Sequence, residues 1–154
     1  MTATIELLST QHQEVLARLT DVEAEIMARD SSDLAPFAAY LAGEVAHHFA
    51  IEEQALFPLL AQHLSLEQGP LAVMNAEHDA FRALLADLSA AVRARHRDAQ
   101  RTHAAELVEL LRAHIAKEDQ VLFPMAARLL SADEQSEVDR RAAALAASPA
   151  SAEA

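Results

Sequence analysis

The chain has 154 residues, a length typical of one domain that buries a substantial core. Its two glycines and its abundance of alanine, leucine and glutamate predict an all-helical protein, and the absence of cysteine excludes disulfides, thiol catalysis and thiolate metal ligands. A formal net charge of −12, with Lys117 as the single lysine, argues against binding to nucleic acid or to an anionic membrane surface, because both need basic patches.

Two helices are predicted in the first part of the chain. Thr4 is the expected N-cap of the first, in which apolar residues recur at helical spacing up to a polar stretch at 29–32. Asp33 is expected to cap a second helix over about 34–64. Pro58 lies inside this second helix and cannot donate a backbone hydrogen bond, so a kink or break is expected there.

The second part of the chain repeats this organisation. A third helix is predicted over roughly 70–95 and a fourth over about 99–130, where Pro124 predicts another kink. Ser131 followed by Glu134 forms a capping box that opens a short fifth helix, which is expected to end at about Leu145. The expected fold is all-α, an antiparallel up-down four-helix bundle built from two repeated helical hairpins, plus the short C-terminal fifth helix. Residues 1–146 are expected to form this single domain, and 147–154 a flexible tail.

An internal repeat is the most informative feature of the sequence. HFAIEEQALFP begins at His48 and HIAKEDQVLFP at His114, 66 residues later, and the two phrases are identical at seven positions. The same offset of 66 residues relates His12 to His78. Packing requires only apolar residues at helical spacing, so a duplicated set of histidines and glutamates indicates a metal site on the axis of the repeat.

Helical geometry predicts which side chains share this site. Residues four apart lie on one face of an α-helix, so His48 and Glu52 point into the same space, as do His114 and Glu118. Residues five apart diverge, which predicts that Glu53 and Asp119 face elsewhere unless a π-bulge intervenes. His12 and His78 lie on the other two helices, so four imidazoles and two carboxylates can converge in the core.

This donor set favours two cations. Isolated buried carboxylates would cost several kcal/mol each, and bound cations remove that cost. Nitrogen and oxygen ligation without sulfur suits iron or manganese. Zinc is a further alternative, although six donors are too many for one tetrahedral ion. Four histidines and two bridging glutamates supply about eight of the roughly twelve positions that two six-coordinate ions need, which leaves room for an oxo or hydroxo bridge and an exogenous ligand.

These phrases, with STQHQEVL around His12 and NAEHDAFRALL around His78, resemble the hemerythrin-like (HHE cation-binding) family over roughly residues 5–130. The resemblance implies a four-helix bundle around a non-haem di-iron centre. The ligands that it implies are His12, His48, Glu52, His78, His114 and Glu118.

The chain departs from the oxygen-carrying hemerythrins at one position. Those carriers have a histidine where this chain has Met74, and their aspartate ligand matches Asp119 in spacing, although helical geometry favours Glu118. Four histidines and two glutamates resemble the bacterial stress-response type, including the iron-centre repair proteins. Glu44, one turn before His48, could be an auxiliary ligand or accept a hydrogen bond from an imidazole, and Tyr40 could also approach the site.

Three functions remain open from the sequence. The first is a di-iron protein that binds or reacts with a small oxidant or diatomic, namely O₂, NO or H₂O₂. The second is a di-iron enzyme that degrades peroxide, and the third is storage or donation of iron, for which a protein partner would receive the metal. The sequence shows neither a signal peptide nor an apolar run of the roughly 18 residues that a membrane span needs, so a cytoplasmic location is expected.

Overall fold

The computed structural model describes residues 2–28 and 33–147. Every regular element within these ranges is helical and none is a strand, which confirms the all-α prediction. Three wider π-helical turns, labelled π here, occur within two of the long helices. In chain order the elements are α1 (Ala3–Met27), α2 (Ala35–Tyr40), π1 (Leu41–Val45), α3 (Ala46–Ile51), π2 (Glu52–Leu56), α4 (Phe57–Leu60), α5 (Pro70–Arg93), α6 (Arg97–Lys117), π3 (Glu118–Leu122), α7 (Phe123–Leu129) and α8 (Ala132–Ala147).

Four long helices form the bundle: α1, the continuous run from α2 to α4, α5, and the continuous run from α6 to α7. α5 and α6 pack along each other and are joined only by residues 94–96, so they are antiparallel. α1 also packs on α6, and α2 packs on α5. The fifth helix, α8, lies against π2 and α1. The predicted bundle with a short C-terminal helix is confirmed.

The start of α1 differs from the prediction. Thr2, and not Thr4, is the N-cap, and its Oγ1 accepts a hydrogen bond from the backbone N–H of Ile5 at 2.9 Å. The Thr4 hydroxyl and backbone N–H instead both donate to Oδ1 of Asp139 in α8, at 2.6 and 3.0 Å. The predicted cap at Thr4 is therefore wrong, because that side chain joins two helices. α1 ends at Met27, and the predicted end at 29–32 lies outside the described residues.

The two prolines inside the long helices follow widened turns. The N–H of Phe57 donates to the carbonyl of Glu52, five residues earlier, and Phe123 does the same to Glu118. Pro58 and Pro124 come next, in the first turns of α4 and α7, where a missing N–H costs least. The chain thus stays helical through both prolines, and the expected interruption is a π turn that begins at each repeated glutamate.

The start of α8 matches its prediction. The backbone N–H of Ser131 donates to Oε1 of Glu134 at 2.9 Å, and the N–H of Glu134 donates to Oγ of Ser131 at 3.1 Å, which is the reciprocal pattern of a capping box. α8 continues to Ala147, beyond its predicted end at Leu145. The rest of the predicted tail lies outside the described residues.

The apolar core is divided into two clusters by a layer of polar side chains. One cluster contains Val15 and Leu111, and the other contains Leu8 and Met74. His12 lies between Leu8 and Val15 on α1, so it occupies the level between the two clusters. Both sides of this polar layer are therefore closed by apolar packing.

Candidate metal centre

The six residues of the repeat meet in this layer and are almost completely shielded from solvent. None of these residues is more than 3% exposed. Their donor atoms form two groups, in each of which all atoms lie within 4.8 Å of one another. One group contains His12, His48, Glu52 and Glu118, and the other contains Glu52, His78 and His114.

Each glutamate lies between histidines from both hairpins. Oε1 of Glu118 is 3.1 Å from Nε2 of His12 and 3.2 Å from Nε2 of His114. Oε1 of Glu52 is 3.2 Å from Nε2 of His78 and 3.6 Å from Nε2 of His48. The two carboxylates thus occupy the positions that bridging ligands would take between two pairs of imidazoles.

Most inner atoms of the cluster have no hydrogen-bond partner among the residues that the structure describes. They are Nε2 of His48, His78 and His114, both carboxylate oxygens of Glu52, and Oε2 of Glu118. Buried polar atoms are normally hydrogen-bonded, and an unsatisfied one costs about 1–3 kcal/mol. All of these unpaired atoms are metal donors and they face one another, so the residues fit bound cations.

The outer nitrogens of His48 and His114 are held in equivalent ways. Nδ1 of His48 donates to Oε1 of Gln11 at 2.8 Å, and Nδ1 of His114 donates to Oε1 of Glu77 at 3.0 Å. The other oxygen of Glu77 forms an ion pair with Lys117. A hydrogen on Nδ1 leaves the lone pair of Nε2 directed into the cluster, which is the tautomer that a metal ligand requires.

His12 and His78 form a second equivalent pair. Nδ1 of His12 donates to Oδ1 of Asp119 at 2.8 Å, and Nδ1 of His78 donates to Oε2 of Glu53 at 2.9 Å. Arg82 also binds Glu53, at 2.6 Å to the same oxygen. The sequence analysis predicts that Glu53 and Asp119, five residues after His48 and His114, face away from the site unless a π-bulge intervenes. They do lie outside the inner cluster, but the π turns that begin one residue earlier leave them within reach of the opposite hairpin's histidine.

The buried environment controls the protonation of the inner groups. Burial lowers the pKa of His48, and it lowers the pKa of His78 to about 4, so both imidazoles are neutral near pH 7. Burial raises the pKa of the Glu52 carboxyl, and the nearby charge of Glu118 raises it further. Burial also acts to raise the pKa of Glu118, but the neighbouring Glu52 carboxyl and the imidazoles of His114, His12 and His48 outweigh this effect and lower it.

The aromatic rings around the histidines also repeat between the two hairpins. Phe123 stacks on His12 and Phe57 stacks on His78, in both cases with ring centroids 5.4 Å apart. The distance between the His12 and His48 rings is 4.9 Å, and that between the His78 and His114 rings is 5.0 Å. The repeat in sequence is thus also a repeat in the geometry of the site.

A small apolar cavity breaks this symmetry. It has a volume of about 10 Å³, and its lining residues are His12, Val15, Val45, His48, Phe49, Leu111, His114 and Ile115. Phe81 is the repeat partner of Val15, and its ring packs edge-on against Phe49 at 4.8 Å. The cavity therefore lies beside the smaller residue, Val15, and a bulkier side chain fills the equivalent position next to His78.

The auxiliary residues lie in different surroundings. Glu44 is exposed and belongs to neither donor group, because π1 adds a residue to the turn and the spacing of four no longer aligns it with His48. Tyr40 is partly buried with Arg18 over its ring at 5.1 Å, and burial raises its pKa. Met74 is 2% exposed and packs within an apolar cluster. Asp119 supports His12 from outside the cluster.

Three hydrogen-bond acceptors were missed in the sequence, namely Gln11, Glu53 and Glu77. The offset of 66 residues contains the signal that could have found them, because it pairs Gln11 with Glu77 and Glu53 with Asp119. All four residues accept from the Nδ1 atom of a histidine on a neighbouring helix.

No helix within the described ranges combines the length and the hydropathy needed to cross a bilayer.

The family model described as Hemerythrin HHE cation binding domain matches residues 3–126. The chain is 34% identical over 133 residues to the iron-sulfur cluster repair protein YtfE of Enterobacter sp. (strain 638), and 32% identical over 127 residues to the proteins of that name in Citrobacter koseri and Escherichia coli. These matches cover 75% of this chain but 58% of each relative, so the chain spans less than two thirds of their length. No solved structure matches it. The family match covers most of the chain, and the buried histidines and glutamates at its centre are suited to hold metal ions. The chain therefore belongs to the hemerythrin HHE cation-binding domain family.

Proposed function

We propose that this chain is a non-haem di-iron protein that binds a small diatomic molecule, O₂ or NO, at an open coordination position. The observation that carries the proposal is the set of buried donor atoms without hydrogen-bond partners, all directed into one space. The proposed metal ligands are His12, His48, Glu52, His78, His114 and Glu118.

The arrangement of donors supports two ions. Glu52 belongs to both donor groups, and each glutamate lies between histidines of different hairpins, as expected for carboxylates that bridge a pair of metals. Imidazole and carboxylate donors without sulfur suit iron, with manganese as the nearest alternative. One tetrahedral zinc ion would leave part of this buried donor set unused.

Iron bound here would supply a position for an exogenous ligand and the capacity for one-electron chemistry. The chain's own residues prepare that position. The outer hydrogen bonds hold each imidazole with Nε2 directed inward, and burial keeps His48 and His78 neutral. The stacked rings of Phe57 and Phe123 cover His78 and His12 and limit access of water to the cluster.

The cavity beside Val15 favours a diatomic ligand over peroxide. Its volume of about 10 Å³ is close to the space that one water-sized molecule needs. Among the side chains that line it, only the three imidazoles are polar. Hydrogen peroxide would require further hydrogen-bond partners and a proton donor for cleavage of its O–O bond, whereas O₂ and NO require neither in order to bind.

Iron donation to a protein acceptor is a second candidate. It is favoured by the relatives, which are named iron-sulfur cluster repair proteins. The structure adds support because Glu53 and Asp119 are partly exposed, at 28% and 33%, while each contacts a buried histidine. Such carboxylates connect the inner cluster to the surface and could guide a cation outward.

Iron analysis and NO binding test the first proposal. We expect two irons per chain, and stopped-flow mixing with NO should show rapid binding to the ferrous protein. Val15→Phe should fill the cavity and slow NO association on the order of tenfold or more, which corresponds to about 1.4 kcal/mol in the barrier, with unchanged iron content. Val73→Phe makes the same change at a residue that is 41% exposed and should leave the rate unaltered.

Two results would contradict this proposal. Folded protein that takes up no iron would remove the metal centre altogether. Equal NO association rates in Val15→Phe and the unsubstituted chain would refute the role of the cavity. Iron donation is tested separately, by mixing iron-loaded protein with an apo-acceptor and measuring transfer against the spontaneous release of iron.

A further inference from the structure

One residue pair breaks the symmetry of the outer hydrogen bonds. His48 donates to Gln11, a neutral amide, whereas its repeat partner His114 donates to Glu77, a carboxylate. The distances are similar, 2.8 and 3.0 Å, and in both cases donor and acceptor are 37 residues apart. The two contacts therefore have the same geometry and differ in the charge of the acceptor.

We propose that Gln11 makes the two cation positions inequivalent, so that the ion held by His12 and His48 is released before the ion held by His78 and His114. Gln11 acts as a positioning residue through His48. This inference rests on the proposed function, because it requires two bound ions.

The first argument is the strength of the outer hydrogen bond. A hydrogen bond to an ionised acceptor is roughly twice as strong as one to a neutral acceptor. A carboxylate acceptor also makes the opposite nitrogen of the imidazole a better metal donor. Loss of such an outer partner typically lowers metal affinity about 10–100-fold. Gln11 leaves His48 without this support, while Glu77 provides it to His114.

The second argument is how firmly the outer groups are held. Glu53 and Glu77, which support His78 and His114, are themselves bound by Arg82 and Lys117. In the part of the chain that the structure describes, neither Gln11 nor Asp119 is paired with an arginine or lysine side chain, and Asp119 is 33% exposed. Fixed acceptors keep the His78 and His114 rings oriented, whereas the His12 and His48 rings can move more easily when a ligand competes for their ion.

Chelation kinetics test this inference on the full chain loaded with ferrous iron. An excess of a coloured ferrous chelator is added, and the iron captured is followed with time. The unsubstituted chain should release its iron in two phases of equal amplitude, with rates about tenfold apart. Gln11→Glu should slow the fast phase until the two phases approach each other. Glu77→Gln should accelerate the slow phase.

Gln13→Glu is the matched control. Gln13 is exposed on the same helix, so this variant adds the same charge away from His48 and should keep both rates unchanged. Damage to the fold would accelerate release, so slower release in Gln11→Glu cannot come from a merely structural defect.

The outcomes separate the two proposals. Two irons that leave the unsubstituted chain in one phase would overturn the inequivalence while preserving the di-iron site. An unchanged fast phase in Gln11→Glu, or equal slowing in Gln13→Glu, would overturn the role of Gln11. A chain that holds fewer than two irons would overturn the di-iron proposal and this inference together.

Discussion

Replacement of Glu52 by methionine should stabilise the metal-free protein while it removes most metal binding. Glu52 is completely buried, and within residues 2–28 and 33–147 neither of its carboxylate oxygens has a hydrogen-bond partner. Burial also raises the pKa of this carboxyl. Methionine is similar in length and flexible enough to fill the space. In the metal-free chain, Glu52→Met therefore replaces an unsatisfied polar group by an apolar one.

The size of the effect can be worked out from the contacts. Two unsatisfied oxygens cost about 1–3 kcal/mol each, and the substitution recovers most of this. It also removes the closest oxygen to Nε2 of His78, at 3.2 Å, which costs about 1 kcal/mol. The net gain is about 1–5 kcal/mol, or a rise in Tm of roughly 2–20 °C for a domain of this size.

Thermal unfolding with and without ferrous iron measures both effects. Iron should raise the Tm of the unsubstituted protein, because a ligand present at 100 times its Kd stabilises the folded state by about 2.7 kcal/mol. Glu52→Met should lose most of this rise. Glu44→Met is the control, because Glu44 is exposed on the same long helix and should affect neither quantity. A metal-free Glu52→Met protein that is less stable than the unsubstituted one would refute the reasoning, since the carboxyl would then stabilise the core without a cation.

Two further predictions concern the ligands and the pH dependence. Glu118→Ala should lose bound iron. Asp119→Ala should keep its iron stoichiometry when iron is in excess, with an affinity about 10–100-fold weaker, because Asp119 acts only through the Nδ1 atom of His12. Metal analysis that finds equal loss of iron in both variants would contradict this assignment. In the metal-free folded protein, the pKa of His78 is about 4, against an ordinary value of 6.5. Between these pH values the unfolded chain binds a proton at His78 that the folded chain does not, so the free energy of unfolding falls as the pH falls from 6.5 towards 4. The full loss is roughly 3 kcal/mol; urea unfolding of His78→Gln should show a weaker decline over this range, and an equal decline would contradict the assignment.

The fold could be predicted from the sequence because its signals are local and repeated. Each of these signals depends on residues that are close together in the chain. They are the helical periodicity, the capping box at Ser131 and the two proline-containing phrases. The error at Thr4 has a different origin. Its hydrogen bonds are made to Asp139, 135 residues away, and no local pattern distinguishes a capping threonine from one that joins two helices.

The sequence predicts the six inner residues of the candidate site better than its rim, which here means the side chains that surround them. The repeat identified the four histidines and two glutamates that the structure brings together. The rim depends on π1, π2 and π3, which change the angular spacing of side chains and so place Glu44 outside and Glu53 within reach of His78. The spacing rules of an α-helix assume 3.6 residues per turn, so they misplace side chains that lie at a wider turn.

The pair of hydrogen bonds between Thr4 and Asp139 has a consequence for synthesis on the ribosome. The chain emerges from its N-terminus, so α1 is available long before its partner in α8. Until α8 has left the exit tunnel, the first turn of α1 lacks this partner, and the apolar face around Val138 is not yet in place. α8 therefore docks on α1 only after all four helices of the bundle have been synthesised.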